Sequence, residues 1–91
     1  MYEERKDKVL SEWKFPLDEG VYLRVSVRQY NDGPPKLQIG PREYRDRAGE
    51  VRPGKVGRLS RDEVAWLREI IDDVLDTMSA AELPFERQNQ R

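Results

Sequence analysis

Cysteine and histidine are both absent from the 91-residue chain. Without cysteine there is no disulfide frame and no thiolate chemistry, and a reducing compartment is expected. Without histidine the chain lacks the commonest metal ligand and the commonest general base at neutral pH. No apolar run is long enough to span a membrane. The opening segment, MYEERKDKVL, lacks the apolar stretch of a signal peptide. A cytoplasmic protein, nucleoid-associated in a bacterium, is the expectation. No nucleophile–base pair and no phosphate-binding Walker loop occur. The carboxylates Asp72, Asp73 and Asp76 have no histidine or cysteine beside them, so they read as a solvated acidic helix face. No enzyme activity, no metal and no cofactor are expected.

What is present is charge, unevenly placed. The net charge is −1. Residues 1–20 carry a net −2, residues 21–61 a net +6, and residues 62–91 a net −5. A basic middle between acidic ends can build a local anion-binding face on a nearly neutral protein.

The chain reads as one small α+β domain over residues 8–78, with flexible ends at 1–7 and 79–91. The spacing predicts a first strand over Lys8–Phe15 and a connection over Pro16–Gly20. Val21, Leu23, Val25 and Val27 then alternate with Tyr22, Arg24, Ser26, Arg28 and Tyr30, which predicts a strand over Val21–Tyr30 with one apolar face. Asn31-Asp32-Gly33 supplies a hairpin turn, its Asp-Gly pair suited to positive φ. A return strand is predicted over Lys36–Tyr44, with Leu37, Ile39 and Pro41 on one face and Lys36, Gln38, Arg42 and Tyr44 on the other. Pro41 marks an edge or a bulge. Arg45–Lys55 reads as a loop and Lys55–Leu59 as a short last strand. Ser60 and Glu63 form a capping box for a helix over Ser60–Met78. Val64, Leu67, Ile71, Val74, Leu75 and Met78 give that helix an apolar stripe, widened by Trp66 and Ile70.

Tyr22, Arg24, Arg28, Tyr30, Lys36, Arg42 and Tyr44 together form a candidate binding face. Cations neutralise phosphates, and aromatic rings accept bases that are free of a duplex. An ordinary solvent face of an antiparallel sheet has the same composition. The loop Gly49–Lys55 offers Arg52 and Lys55 as a phosphate clasp, and its plainer meaning is solvated charge. The helix stripe serves as core, as dimer interface, or as both.

Arg42-Glu43-Tyr44, a short polar loop, Gly49-Glu50-Val51-Arg52-Pro53-Gly54, Gly57 and a helix opening resemble the DNA-binding domain of the transcriptional positive cofactor four family. That family's pattern runs R-E-Y, loop, G-E-x-K/R-P-G, R-K-G-I-S-L, helix. The likeness extends from Tyr22 to Leu75. It implies a four-stranded curved antiparallel sheet followed by one C-terminal helix, β-β-β-β-α, in a homodimer that binds single-stranded DNA across its sheets. The family acts as a transcription coactivator in eukaryotes, and its prokaryotic relatives bind single-stranded nucleic acid. By matching position, the family's stacking aromatic falls on Tyr30 and its basic positions on Lys36, Arg42, Arg52 and Lys55. Arg45 stands where the family often has a second aromatic, and Val56 where it has a lysine. The segment from Gly57 to the helix is shorter by one residue. The lack of a Ser-rich arm suggests a bacterial or phage member.

The expected binding set is therefore Tyr22, Arg24, Arg28, Tyr30, Lys36, Arg42, Tyr44, Arg45, Arg52 and Lys55. The expected dimer interface is Trp66, Leu67, Ile70, Ile71, Val74, Leu75 and Met78. The expected function is binding of single-stranded DNA, with RNA as a second ligand, in transcription regulation, replication or repair. The alternative is a protein–protein interaction module, a coactivator-like adaptor to the transcription machinery that does not itself bind nucleic acid. A purely structural dimer is a third reading.

Overall fold

The computed structural model describes the backbone of residues 4–89 and the side chains of residues 5–82. A single 3-10 turn at Glu4–Lys6 leads into β1 (Asp7–Asp18), followed by β2 (Val21–Tyr30), β3 (Pro35–Arg45), β4 (Val51–Gly54) and one helix, α1 (Arg61–Asn89). The strands form one antiparallel meander in the order β1-β2-β3-β4, and the helix lies across one face. This is the four-stranded sheet and C-terminal helix that the sequence predicts.

β2 matches its predicted bounds, and its alternation explains why. Leu23, Val25 and Val27 are fully buried and Val21 nearly so. Val25 and Val27 meet Ile70 and Val74 of the helix, with Leu10, Trp13, Leu37, Trp66, Leu67 and Met78 packed around them. The rings of Phe15 and Trp66 lie 5.4 Å apart and tilted. Central position gives β2 a neighbour on each side, so a strict period of two is enforced along its whole length.

β1 is longer than predicted and runs through Pro16, where a connection was expected. Pro16 sits opposite Tyr22. An edge strand tolerates proline because a missing N–H on its outer side breaks no ladder bond. Register shifts after Val9 and after Pro16 add twist to this edge. Of the N-terminal residues expected to be flexible, Glu4–Lys6 form the 3-10 turn and Asp7 opens β1; Met1–Glu3 lie outside the described residues.

The β2–β3 turn closes through the Gly33 N–H to the Tyr30 carbonyl at 2.9 Å. Its left-handed residue is Asn31, with φ of 55°, rather than the Asp-Gly pair. Asparagine tolerates that conformation through its short polar side chain.

β3 holds the largest departure. Val25 pairs with Ile39, but Leu23 pairs with Arg42. One residue of β2 is therefore matched by two of β3, Gly40 and Pro41, whose peptide bond is cis. An extra residue inverts the facing of everything beyond it. Arg42 and Tyr44 turn to the helix side of the sheet, and Glu43 and Arg45 take the open side. The predicted face containing Lys36, Gln38, Arg42 and Tyr44 is thus split after Gln38.

β4 is Val51–Gly54, not Lys55–Leu59. A tight hairpin places it there. The Asp46 N–H donates to the Glu50 carbonyl at 2.9 Å, and the Glu50 N–H to Asp46 Oδ1 at 2.9 Å. Residues 55–60 form an irregular link to the helix.

The capping box is present: the Ser60 N–H donates to Glu63 Oε1 at 2.8 Å, and the Glu63 N–H to Ser60 Oγ at 3.2 Å. The segment Ser79–Arg91, expected to be a tail, is helical to Asn89. Ala80, Ala81 and Glu82 are strong helix formers that carry the helix on towards Pro84. Gln90 and Arg91 lie outside the described residues.

The predicted apolar stripe is also rotated. Glu63, Ile70 and Val74 face the sheet, whereas Val64, Ile71 and Leu75 are exposed at 53, 39 and 55 %. The pairing of buried Glu63 with half-buried Arg42 accounts for the rotation. It fixes the first turn against β3, and residues seven and eleven positions later follow onto the same face.

Candidate nucleic-acid interface

Residues opposite one another in an antiparallel pair share a face. The register therefore assembles the open face, away from the helix, from Asp7, Val9, Glu12, Lys14 and Pro16 of β1, and Tyr22, Arg24, Ser26, Arg28 and Tyr30 of β2. Lys36 and Gln38 of β3 complete it beside Arg28 and Ser26. Of the predicted binding residues, Tyr22, Arg24, Arg28, Tyr30 and Lys36 are brought together here.

Two aromatic centres result. At the β2–β3 hairpin end, a groove of about 650 Å³ is lined by Arg28, Tyr30, Lys36 and Gln38, with Asp7 at its wall. Its size falls within the range of ligand clefts. Arg28 Nη1 holds Asp7 Oδ2 at 2.9 Å and its Nε donates to Ser26 Oγ at 3.0 Å, which fixes the guanidinium at the groove wall. Lys36 is exposed, and among the described residues no carboxylate pairs with it.

The second centre is Tyr22, and it is already covered. Lys14 Nζ lies 4.9 Å and the Arg24 guanidinium 5.8 Å from the ring centroid, distances at which a cation is drawn to the ring face. Arg24 Nε donates to Glu43 Oε2 at 2.8 Å and Nη1 to Glu12 Oε1 at 3.2 Å. Glu43 also accepts the Tyr22 N–H at 3.0 Å. Arg24 foremost, and the Tyr22 N–H after it, hold the Glu43 carboxyl below its ordinary range against the opposing effect of burial. Glu43 raises the Arg24 guanidinium in turn.

Of the remaining predicted residues, Arg45 is on the open side at the far end of β3 and the others are elsewhere. Arg42 lies on the helix side, donating from Nε to the Val56 carbonyl at 2.9 Å and from Nη2 to Glu63 Oε1 at 2.9 Å and the Arg58 carbonyl at 3.1 Å. Its Nη1 also meets Glu63 Oε2. Arg42 is a structural clamp here, not a surface cation. Tyr44 is half exposed and pairs across with Arg52 on the same side. Arg52 Nε is held by Asp46 Oδ2 at 2.8 Å, and that bond, ahead of the Glu50 N–H, lowers the Asp46 carboxyl. Arg45 braces two turns, donating to the Glu19 carbonyl at 2.7 Å and the Gly49 carbonyl at 3.0 Å. Lys55 is exposed in the link after β4.

Sequence reasoning missed Asp7, Glu12, Lys14 and Glu43 as members of the open face. Alternating charge in Glu12-Trp13-Lys14 was the available signal for β1, but its partners depend on register. Glu43 was hidden by the extra residue in β3.

The helix supplies the predicted dimer surface only in part. Ile70 and Val74 are buried in the protomer's own core, with Trp66 packed against it, so these three belong to the fold. Leu67 and Met78 are half-buried and pack against the same core, which leaves Ile71 and Leu75 exposed, with Val64 added to the patch. Among the described residues, no helix is long and apolar enough to cross a membrane, and no group of three carboxylates is arranged to hold a metal ion. Compared with protein-family models, curated proteins and solved structures, the chain has no match.

Proposed function

We propose that the open face of the sheet binds single-stranded nucleic acid with little sequence preference, DNA first and RNA second, in transcription regulation, replication or repair. The protein acts as a binding protein and not as an enzyme. The observation that carries this reading is the convergence of Tyr30, Arg28 and Lys36 in one groove. A base stacks on the tyrosine ring while its phosphate meets the lysine. A single strand suits the groove because its bases are free to leave their own stack. Duplex bases are not. The likeness to the positive cofactor four family is in keeping with this assignment at Tyr30 and Lys36, whereas its other basic positions, Arg42, Arg52 and Lys55, lie off this face.

Fluorescence anisotropy with a labelled single strand and its matching duplex, at two salt concentrations, tests the proposal. Tighter binding of the single strand, weakening with salt, is expected. Tyr30→Ala should cost roughly 1–3 kcal/mol of binding with little change in salt slope. Lys36→Ala should reduce the slope of log affinity against log salt by about 0.7. Arg52→Ala should change the slope less, because Asp46 already neutralises that guanidinium. Full affinity in both the Tyr30 and Lys36 variants would remove the groove as the site.

The adaptor reading draws on a different observation. Asp7, Glu12 and Glu43 interleave with the cations of the open face, a mixed pattern that suits a protein partner of complementary charge. Absence of binding to either nucleic acid at low salt would favour it.

The exposed band of Val64, Ile71 and Leu75 supports a homodimer. An apolar stripe of this length is unusual on a lone soluble domain, and a two-fold axis covers it with a second copy of itself. Sedimentation equilibrium at micromolar protein should give a dimer that Ile71→Glu converts to monomer. A parent protein that sediments as a monomer refutes this assembly.

A further inference from the structure

Glu43 accepts from both the Arg24 side chain and the Tyr22 backbone: its two oxygens take the Arg24 Nε–H at 2.8 Å and the Tyr22 N–H at 3.0 Å, and Glu12 takes Arg24 Nη1 at 3.2 Å. Guanidinium presents the same fork of donors to a carboxylate as to a phosphate. The Glu43 side chain is only 13 % exposed, so the contact is shielded from solvent. Around Tyr22, the cations Lys14 and Arg24 are matched by the carboxylates Glu12 and Glu43. Around Tyr30, Arg28 and Lys36 face Asp7. Both arginines are thus ion-paired, Arg24 to Glu43 and Arg28 to Asp7, and over these named groups the Tyr22 end is neutral while exposed Lys36 leaves the Tyr30 end with a positive excess.

We infer that Glu43, assisted by Glu12, is an internal phosphate mimic that withholds Arg24 from nucleic acid and confines a bound strand to the Tyr30 end of the open face. This rests on the nucleic-acid reading above and adds what sets the path and footprint of the strand. The extra residue at Gly40–Pro41 is the device that delivers the carboxylate. Without it, position 43 would face the helix and Arg42 would join Arg24 on the open side.

Glu43→Gln tests the inference. Glutamine keeps an acceptor for the Tyr22 N–H but removes the charge that holds Arg24. Anisotropy with a labelled oligothymidylate should show about fivefold tighter binding near 0.1 M salt, with a salt slope steeper by about 0.7, the signature of one added phosphate contact. Glu12→Gln, at a more exposed carboxylate, should move affinity the same way by less, and it provides the test if the Glu43 variant fails to fold. Adding Arg24→Gln to Glu43→Gln should return affinity and slope to the parent values. A parent that binds while neither carboxylate variant gains affinity overturns the inference and leaves the nucleic-acid reading standing. A gain that survives loss of Arg24 overturns it as well. No binding by the parent or any variant refutes the nucleic-acid reading itself, and the inference with it.

Discussion

Replacing Arg42 with alanine should lower folding stability by about 3–5 kcal/mol, the usual consequence of stranding one member of a buried ion pair. Arg42 joins three parts of the fold at once. It leaves β3 on the helix side, takes the Val56 and Arg58 carbonyls of the irregular link, and grips both oxygens of Glu63 in the first turn of α1. Glu63 is 3 % exposed, so alanine at 42 would leave a carboxylate in the interior with only Ser60 to satisfy it. Urea unfolding followed by the fluorescence of Trp13 and Trp66 measures the loss. A change below about 1 kcal/mol would show that water reaches Glu63 and that the clamp is peripheral.

The same pair sets an acid limit. Hydrogen bonding from Arg42, reinforced by the Ser60 N–H, lowers the Glu63 carboxyl from its ordinary 4.5 to about 2, although burial alone would raise it. A depressed carboxyl stabilises the folded state fully above the unfolded value near 4.5, and this contribution is lost as pH falls towards 2. The difference corresponds to roughly 3 kcal/mol. Parent protein should therefore lose stability between about pH 4.5 and pH 2 by this amount from Glu63. Glu63→Gln should start lower at neutral pH and show a flatter acid limb. An acid limb of unchanged steepness in that variant would assign the sensitivity to other carboxylates.

Gly40→Ala should cost about 2–6 kcal/mol. Gly40 has φ of +124°, a region closed to residues with a side chain, and an added Cβ would lie 2.7 Å from Val56 Cγ2. The backbone contribution is about 1–3 kcal/mol and the steric one adds about 1–3 kcal/mol. Valine is too short and too stiff to swing away. A thermal melt should shift down by roughly 10–20 °C or more for a domain of this size. Val56→Ala in the Gly40→Ala background should recover the steric part and leave the backbone part. Recovery separates the two causes, and it keeps the prediction testable if the single variant does not fold. A Gly40→Ala protein as stable as the parent would mean that β3 does not carry the extra residue here, and that Arg42 and Glu43 are on the faces a regular strand would give them.

Much of this was legible in the residues themselves. The strict alternation from Val21 to Tyr30 determined the central strand and its buried face, because a strand with neighbours on both sides has no freedom to slip. Ser60 and Glu63 determined where the helix begins, because a capping box is a local hydrogen-bond pattern complete within four residues. Tyr30, Arg28 and Lys36 could be placed on one face, since they lie on either side of a single hairpin before any irregularity intervenes. Tertiary structure decided the rest. Proline at 41 announced an irregularity in β3, but only pairing with β2 reveals that one residue is added and that all facing beyond it is inverted. That inversion exchanged Arg42 for Glu43 on the open face, turning a predicted row of cations into a network of ion pairs. The rotation of the helix was likewise undetermined by its own sequence, which offers two adjacent apolar stripes. Burial of Glu63 against Arg42, a contact across 21 residues of chain, selected the stripe that meets the sheet and left Val64, Ile71 and Leu75 outside.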